Sequence, residues 1–212
     1  MKALLIVDIQ NDFLPGGSLG VQEGDQVIPV INRLIKLPFT FIAASKDWHP
    51  KDHGSFASNH NKTPGDKVIL EGLSQILWPD HCIQESHGAE FPLELNKKPI
   101  QCIIYKGTEK NLDSYSAFFD NGHKKATKLH EELKKKGIVE LFIAGLATDY
   151  CVKYSALDAI NLDYKVYIIK EACRAVNLNP QDELIALNEI KQKGGKVINE
   201  EEVNYLLRKD NP

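Results

Sequence analysis

Three side chains able to make and break bonds each follow a short apolar run: Asp8 after ALLIV, Lys106 after IQCIIY, and Cys151 in the turn GLATDYC that continues VELFIAG. A thiol becomes a nucleophile once its proton is taken, a carboxylate can take it, and an ammonium stabilises the anions on both sides of that transfer. Each also has an ordinary reading: Asp8 as a turn carboxylate, Lys106 as a solvated strand-end lysine, Cys151 as a buried structural thiol. Glycine and small residues before Cys151 predict a sharp strand-to-helix turn, with Thr148 or Asp149 capping the helix. The thiol would then lie in the first turn, where the helix dipole and free N–H groups favour a thiolate and can cradle an oxyanion.

A second group of reactive side chains stands in KDWHPKDHGSF, residues 46–56. Asp47 and His49 are separated by one residue, so in an extended segment both point to one side. A third ligand must come from elsewhere; His81 in WPDHC is the best supplier, and His53 is the nearer competitor. One carboxylate and two imidazoles leave coordination positions open, the pattern of a divalent ion that holds water or substrate rather than a closed structural site. His60, His87, His123 and His130 have no comparable setting and read as surface residues. Cys102, inside an apolar run, reads as core, and Cys82 and Cys173 as structural. With no CxxC spacing among the four cysteines, reduced thiols are expected.

These groups need a frame. Apolar, β-branched runs recur at 3–8, 39–45, 100–105, 139–145, 164–170 and 195–199, mostly continuous, as parallel strands covered on both faces require. Stretches with helical spacing lie among them: QVIPVINRLIKL, KKATKLHEELKKKG, YCVKYSALDAINL and PQDELIALNEIKQKGG, the last opening on proline and closing on glycines. The alternation predicts an α/β fold: a doubly wound, mostly parallel six-stranded sheet with helices on both faces. Residues 1–212 form one domain, with an insertion at about 46–99 too long for a plain connection. Within it, Asn61 to Gln75 carries no assignable feature. The tail RKDNP reads as frayed. In such sheets ligands bind outside the carboxyl ends of the strands, where strand order reverses. Asp8, Asp47 with His49, Lys106 and Cys151 should therefore share one rim.

The totals narrow the function further. A chain of 212 residues with 42% hydrophobic content can bury an ordinary core unaided. Its 26 basic and 29 acidic residues, with no same-sign block beyond KKK at 134–136, argue against nucleic-acid or polybasic membrane partners. No apolar run approaches the roughly 20 residues needed to span a bilayer. MKALLIVDIQND turns acidic where a signal peptide would stay apolar. A soluble, cytoplasmic protein is expected, with association into a homo-oligomer left open.

Together, LLIVDIQNDFLPGGSL, EGD, ASKDWHPKDHGSFASNH, LWPDHCIQESHGAEF, YKGTEKNLDSYSAFFDN and GLATDYCVKYSALDAINLDYKV closely resemble the nicotinamidases of the isochorismatase-like cysteine hydrolase superfamily. The resemblance implies that fold, a Rossmann-like three-layer sandwich, and hydrolysis of nicotinamide, with pyrazinamide as a further substrate. By position, Asp8, Lys106 and Cys151 match the catalytic triad, and Asp47, His49 and His81 the ligands of a metal, commonly zinc, with iron or manganese in some members. His53 matches a further ligand of some relatives. Phe13, Leu19, Trp78 and Tyr115 match substrate-pocket positions. The Leu146–Ala147 bond matches a cis peptide that aims the Ala147 N–H into an oxyanion hole shared with Cys151. The implied route is attack of the thiol on the carboxamide and a thioester intermediate, the metal positioning the pyridine nitrogen. QESHG and EACRAVNLNP vary among relatives and bear on substrate breadth. An amidase for carbamoyl or ureido compounds would share the triad without needing the histidines; an isochorismatase would lack the cysteine; a non-catalytic metal-binding protein would tolerate its loss.

Overall fold

The computed structural model describes residues 1–208. Six parallel strands form the central sheet: β1 (Lys2–Val7), β2 (Phe41–Asp47), β5 (Cys102–Lys106), β6 (Glu140–Leu146), β7 (Lys165–Arg174) and β8 (Lys196–Ile198), in the order β5-β2-β1-β6-β7-β8. The strands are apolar on both faces because both are covered. On β1, Leu4 and Ile6 join one core with α1 (Val27–Leu34) and α5 (Glu200–Arg208), while Ala3, Leu5 and Val7 join another with α2 (Leu129–Lys135), α3 (Lys153–Asn161) and α4 (Asp182–Gln192). The apolar residues of α1, at 27, 28, 31 and 34, keep the spacing that puts them on one stripe. Connections run outward from β1 to β2 and β5, then cross to β6, so strand order reverses between β1 and β6.

The inner pair is packed tightly at that reversal. Gly145, with φ of 129°, brings β6 so close to β1 that a Cβ there would lie 2.1 Å from the Val7 carbonyl oxygen. Just beyond it the Leu146–Ala147 peptide is cis.

Several elements depart from the sequence reading. The segment from Asn61 to Gln75 is not featureless: β3 (Lys67–Leu70) and β4 (Leu73–Ile76) form an antiparallel hairpin closed by Glu71 and Gly72, both at positive φ as a two-residue hairpin turn demands. Helix α5 follows β8 where no helix was expected. Its start is a reciprocal cap, the Glu202 N–H donating to Asn199 Oδ1 and the Asn199 N–H to Glu202 Oε2. Of the tail RKDNP, Arg208 closes α5, and 209–212 lie outside the described residues. Cys102 is half-buried on the edge strand β5 rather than in the core, whereas Cys82 and Cys173 are buried. His87 and His123 are exposed, but His60 and His130 are half-buried and hydrogen-bonded, to the Gly54 carbonyl and the Tyr164 hydroxyl. No helix among the described residues is long and apolar enough to cross a membrane.

Candidate active site

The carboxyl ends of β1, β2, β5 and β6 do converge. The chain leaves β1 at Asp8, whose φ of 48° turns it off the strand direction. Ser45 Oγ donates to Asp8 Oδ1 at 2.6 Å. Lys106 ends β5, two strand spacings or about 10 Å from β1, so only a long side chain can reach across β2. Its fully buried ammonium lies 2.8 Å from Asp8 Oδ2, 2.5 Å from Asp47 Oδ1, 2.9 Å from the Ser114 carbonyl and 3.3 Å from Cys151 Sγ. Asp8, Asp47 and Cys151 offer atoms within 4.8 Å of one another, but the ammonium already stands among them as their cation.

Burial opposes charge on Lys106, yet Asp47 and Asp8 more than offset it and hold its pKa well above the ordinary lysine value. Burial dominates at Asp8, raising its carboxyl despite Lys106, and at Cys151, pushing the thiol well up despite the same ammonium. The thiol therefore rests protonated, contrary to the thiolate that a helix start would favour. Its partner is in place: Asp8 Oδ2, ion-paired with Lys106, has no hydrogen bond aligned on it.

Cys151 does not sit in an ordinary capped first turn. Thr148–Val152 form a wide π-turn ahead of α3, with Ala147 at its start and the Tyr150 and Val152 N–H groups both donating to the Ala147 carbonyl at 3.1 Å. Neither Thr148 nor Asp149 caps it. Thr148 Oγ1 faces Glu183, and the Asp149 carboxylate accepts the N–H groups of Val176 and Asn177, drawing the loop after β7 over the site.

Beside the thiol lie Asp47, His49 and His81, all buried, with one donor atom from each within 4.8 Å of the others. The Nδ1 of His49 bonds the Gly107 carbonyl at 2.8 Å and that of His81 the Pro79 carbonyl at 2.7 Å. A carbonyl only accepts, so each Nδ1 carries a proton and each Nε2 is the atom presented to a metal. Burial disfavours charge on His49, but Asp47 outweighs it and raises the His49 pKa. Those Nε2 atoms stand 3.6 and 3.9 Å from Asp47 Oδ2, the oxygen not held by Lys106. Burial disfavours ionised Asp47, but Lys106 and then His49 keep its carboxyl well below the usual range. The donor set fits a divalent cation. His53 falls in a separate cluster with His49 and Asp113; burial, with His49 adding to it, lowers it to about 4, and its buried Nε2 has no hydrogen-bond partner.

A pocket opens onto both groups. Cys151, Ala147, Asp47 and His81 line it, and so do Phe13, Leu19, Trp78 and Tyr115. Asp8, Lys106, His49 and His53 do not line it; they support it from behind. Sequence reasoning missed Tyr150, Asp113 and Val176 on its wall. Tyr150 is adjacent to the nucleophile and Asp113 lies in the DSY stretch, so both had a signal; Val176 had none, being drawn in by Asp149. Gln10 was also missed. Wholly buried, it accepts the Asp47 N–H at 2.8 Å and donates to the Asp47 carbonyl at 2.7 Å and the Ala89 carbonyl at 2.9 Å. Its amide takes the place of the peptide that β1 would have offered had it continued beside β2.

Comparisons with known proteins show the family. The family model described as Isochorismatase domain matches residues 2–202. The nicotinamidase of Escherichia coli (strain K12) is 49% identical over 196 residues, 91% of this chain and 92% of that one. The solved nicotinamidase/pyrazinamidase of Acinetobacter baumanii superposes with a TM-score of 0.92 at 42% identity, covering 95% of this chain and 97% of that one. The pyrazinamidase of Pyrococcus horikoshii, solved in complex with zinc, gives 0.76 at 37% identity over 93% of this chain and 98% of that one.

Proposed function

The chain belongs to the isochorismatase-domain family, and on that footing we propose that it is a metal-dependent cysteine amidohydrolase converting nicotinamide to nicotinate and ammonia, a step of pyridine-nucleotide salvage. The observation that carries this reading is the meeting, behind and on the wall of one pocket, of a buried Cys151–Asp8–Lys106 cluster with the Asp47–His49–His81 donor set.

Cys151 Sγ forms the new bond to the carboxamide carbon as Asp8 Oδ2 takes its proton; a concerted transfer suits a thiol that rests protonated. Lys106 holds both groups in place and stabilises the negative charge as it moves. The oxyanion is taken up by the backbone N–H groups of Ala147 and Cys151. The carbon–nitrogen bond then breaks, Asp8 returns the proton to the departing ammonia, and water hydrolyses the thioester to nicotinate and the free thiol. A divalent cation held by Asp47, His49 and His81, zinc in our reading with iron or manganese as alternatives, supplies a Lewis-acid anchor for the ring nitrogen. Phe13, Leu19, Trp78 and Tyr115 pack around the ring, so the pyrazine analogue is accepted as well. An amidase for carbamoyl or ureido compounds would have no use for this ring-binding half. Four unpaired cysteines suit a reducing, cytoplasmic setting.

The test is ammonia release from nicotinamide by the metal-loaded protein, beside its Cys151→Ala variant and a chelator-treated sample. Release by the untreated wild type alone supports the reading. Silence from folded, metal-loaded protein would refute it.

A further inference from the structure

Gln75 is neither in the catalytic cluster nor on the pocket wall, yet it is only 4% exposed on a hairpin that pairs with no strand of the main sheet. Its Nε2 lies 2.8 Å from the Ile76 carbonyl, 3.0 Å from Asp113 Oδ2 and 3.1 Å from the Tyr115 hydroxyl. The orientation of this amide is fixed, since turning it over would set a carbonyl oxygen against a carboxylate and another carbonyl. The Tyr115 hydroxyl also accepts from Trp78 Nε1 at 3.2 Å. One amide nitrogen thus links Asp113, Tyr115 and, through Tyr115, Trp78, which are three side chains of the pocket wall. Asp113 Oδ1 is held locally by the Ser114 N–H, so Gln75 is the donor that fixes its other oxygen.

We propose that Gln75 is a positioning residue that sets the Trp78–Tyr115 wall and the Asp113 carboxylate, and through them the hold on the substrate's ring. This rests on the reading that the pocket binds nicotinamide. Gln75 makes no hydrogen bond to the thiol cluster or the histidine donors, and Asp113, though within 4.8 Å of His49 and His53, makes no hydrogen bond to either, so the effect falls on ring binding and not on bond breaking. Without the donor, Asp113 Oδ2 loses its partner and the Tyr115 hydroxyl keeps only its bond from Trp78. The wall then samples several rotamers, and the ring must order it on binding.

The experiment compares Gln75→Leu, which removes the donor, with Gln75→Glu, which turns it into an acceptor facing Asp113. Expected are a KM for nicotinamide raised about tenfold, kcat within about threefold, and an unchanged zinc content. In the inactive Cys151→Ala background, the dissociation constant read from tryptophan fluorescence should rise by the same factor. Adding Asp113→Asn to Gln75→Glu restores the hydrogen bond with donor and acceptor exchanged. The double variant's KM should then fall below the product of the two single effects. A drop in kcat at unchanged KM, a loss of zinc, or single effects that simply multiply would overturn the proposal. Wild type that binds nicotinamide without hydrolysing it would instead refute the amidase reading, while the fluorescence arm still judged Gln75. Wild type that does neither would remove both.

Discussion

The ammonium of Lys106 lies 2.8 Å from Asp8 Oδ2 although β2 separates the strands that carry them. The same nitrogen reaches Asp47, so one buried cation compensates two buried carboxylates. Lys106→Met keeps the stem and removes the charge, leaving Asp8 in the interior without a cation and Asp47 with only the histidines. A loss of about 3–5 kcal/mol is expected from such a break, together with loss of turnover. Chemical denaturation beside an ammonia assay checks both; a variant of wild-type stability would mean that the lysine is not charged in the folded protein.

Asp8→Asn separates the base from the binding site. The side chain keeps its shape and its contact with Ser45, but the amide cannot take the thiol proton. With the thiol resting protonated, kcat should fall by roughly 10²–10⁴-fold, while nicotinamide affinity, read by fluorescence on the metal-loaded protein, stays within a few-fold. A modest fall in kcat would show that Cys151 is deprotonated by another route.

How much of this was legible in the sequence depends on how local the signal is. The rim could be read because parallel strands point one way, so any residue just after an apolar run lands at the same edge; Asp8, Lys106 and Cys151 needed no further information. The β3–β4 hairpin was hidden because KVIL and LSQI are only four residues each and half-exposed, too short for a period of two to stand out from loop composition. Asn199 and Glu202 did carry the capping signal for α5, but Asn199 closes a run that reads as a strand and residues 200–207 drew no assignment from the sequence. Thr148 and Asp149 misled for the opposite reason: they are good cap residues, yet Asp149 finds two backbone donors in a distant loop that a local reading cannot place. The protonation of Cys151 was equally out of reach, since it follows from how completely the covering loops exclude water.

Gly107 offers a test of the histidine donors from outside the ligand set. Its φ is +63°, and a Cβ there would stand 2.4 Å from His49 Cε1 and 2.6 Å from Nδ1. Gly107→Ala must therefore tilt the His49 ring and break the bond between its Nδ1 and the Gly107 carbonyl. Zinc affinity, by competition with a chromogenic chelator, should drop by about 10–100-fold, and stability by about 1 kcal/mol from the positive φ. Unchanged zinc affinity would take His49 out of the ligand set.

Gln10 makes the complementary prediction for Asp47. Its amide holds both the N–H and the carbonyl of Asp47, so the carboxylate is aimed by a side chain from the segment after β1 as well as by its own backbone. Gln10→Glu keeps the acceptor for the Asp47 N–H but sets a second oxygen against the carbonyls of Asp47 and Ala89, where the donor had been. Asp47 must shift to relieve that contact, and its two obligations respond differently. Lys106 is long enough to follow a small displacement; the fixed Nε2 positions of His49 and His81 are not. Zinc affinity should therefore fall by about 10–100-fold while the Lys106-dependent part of stability is retained, and excess zinc should restore most of the turnover. If turnover is lost and excess zinc does not return it, Gln10 acts on the Asp8–Lys106–Cys151 cluster itself rather than on the metal donors.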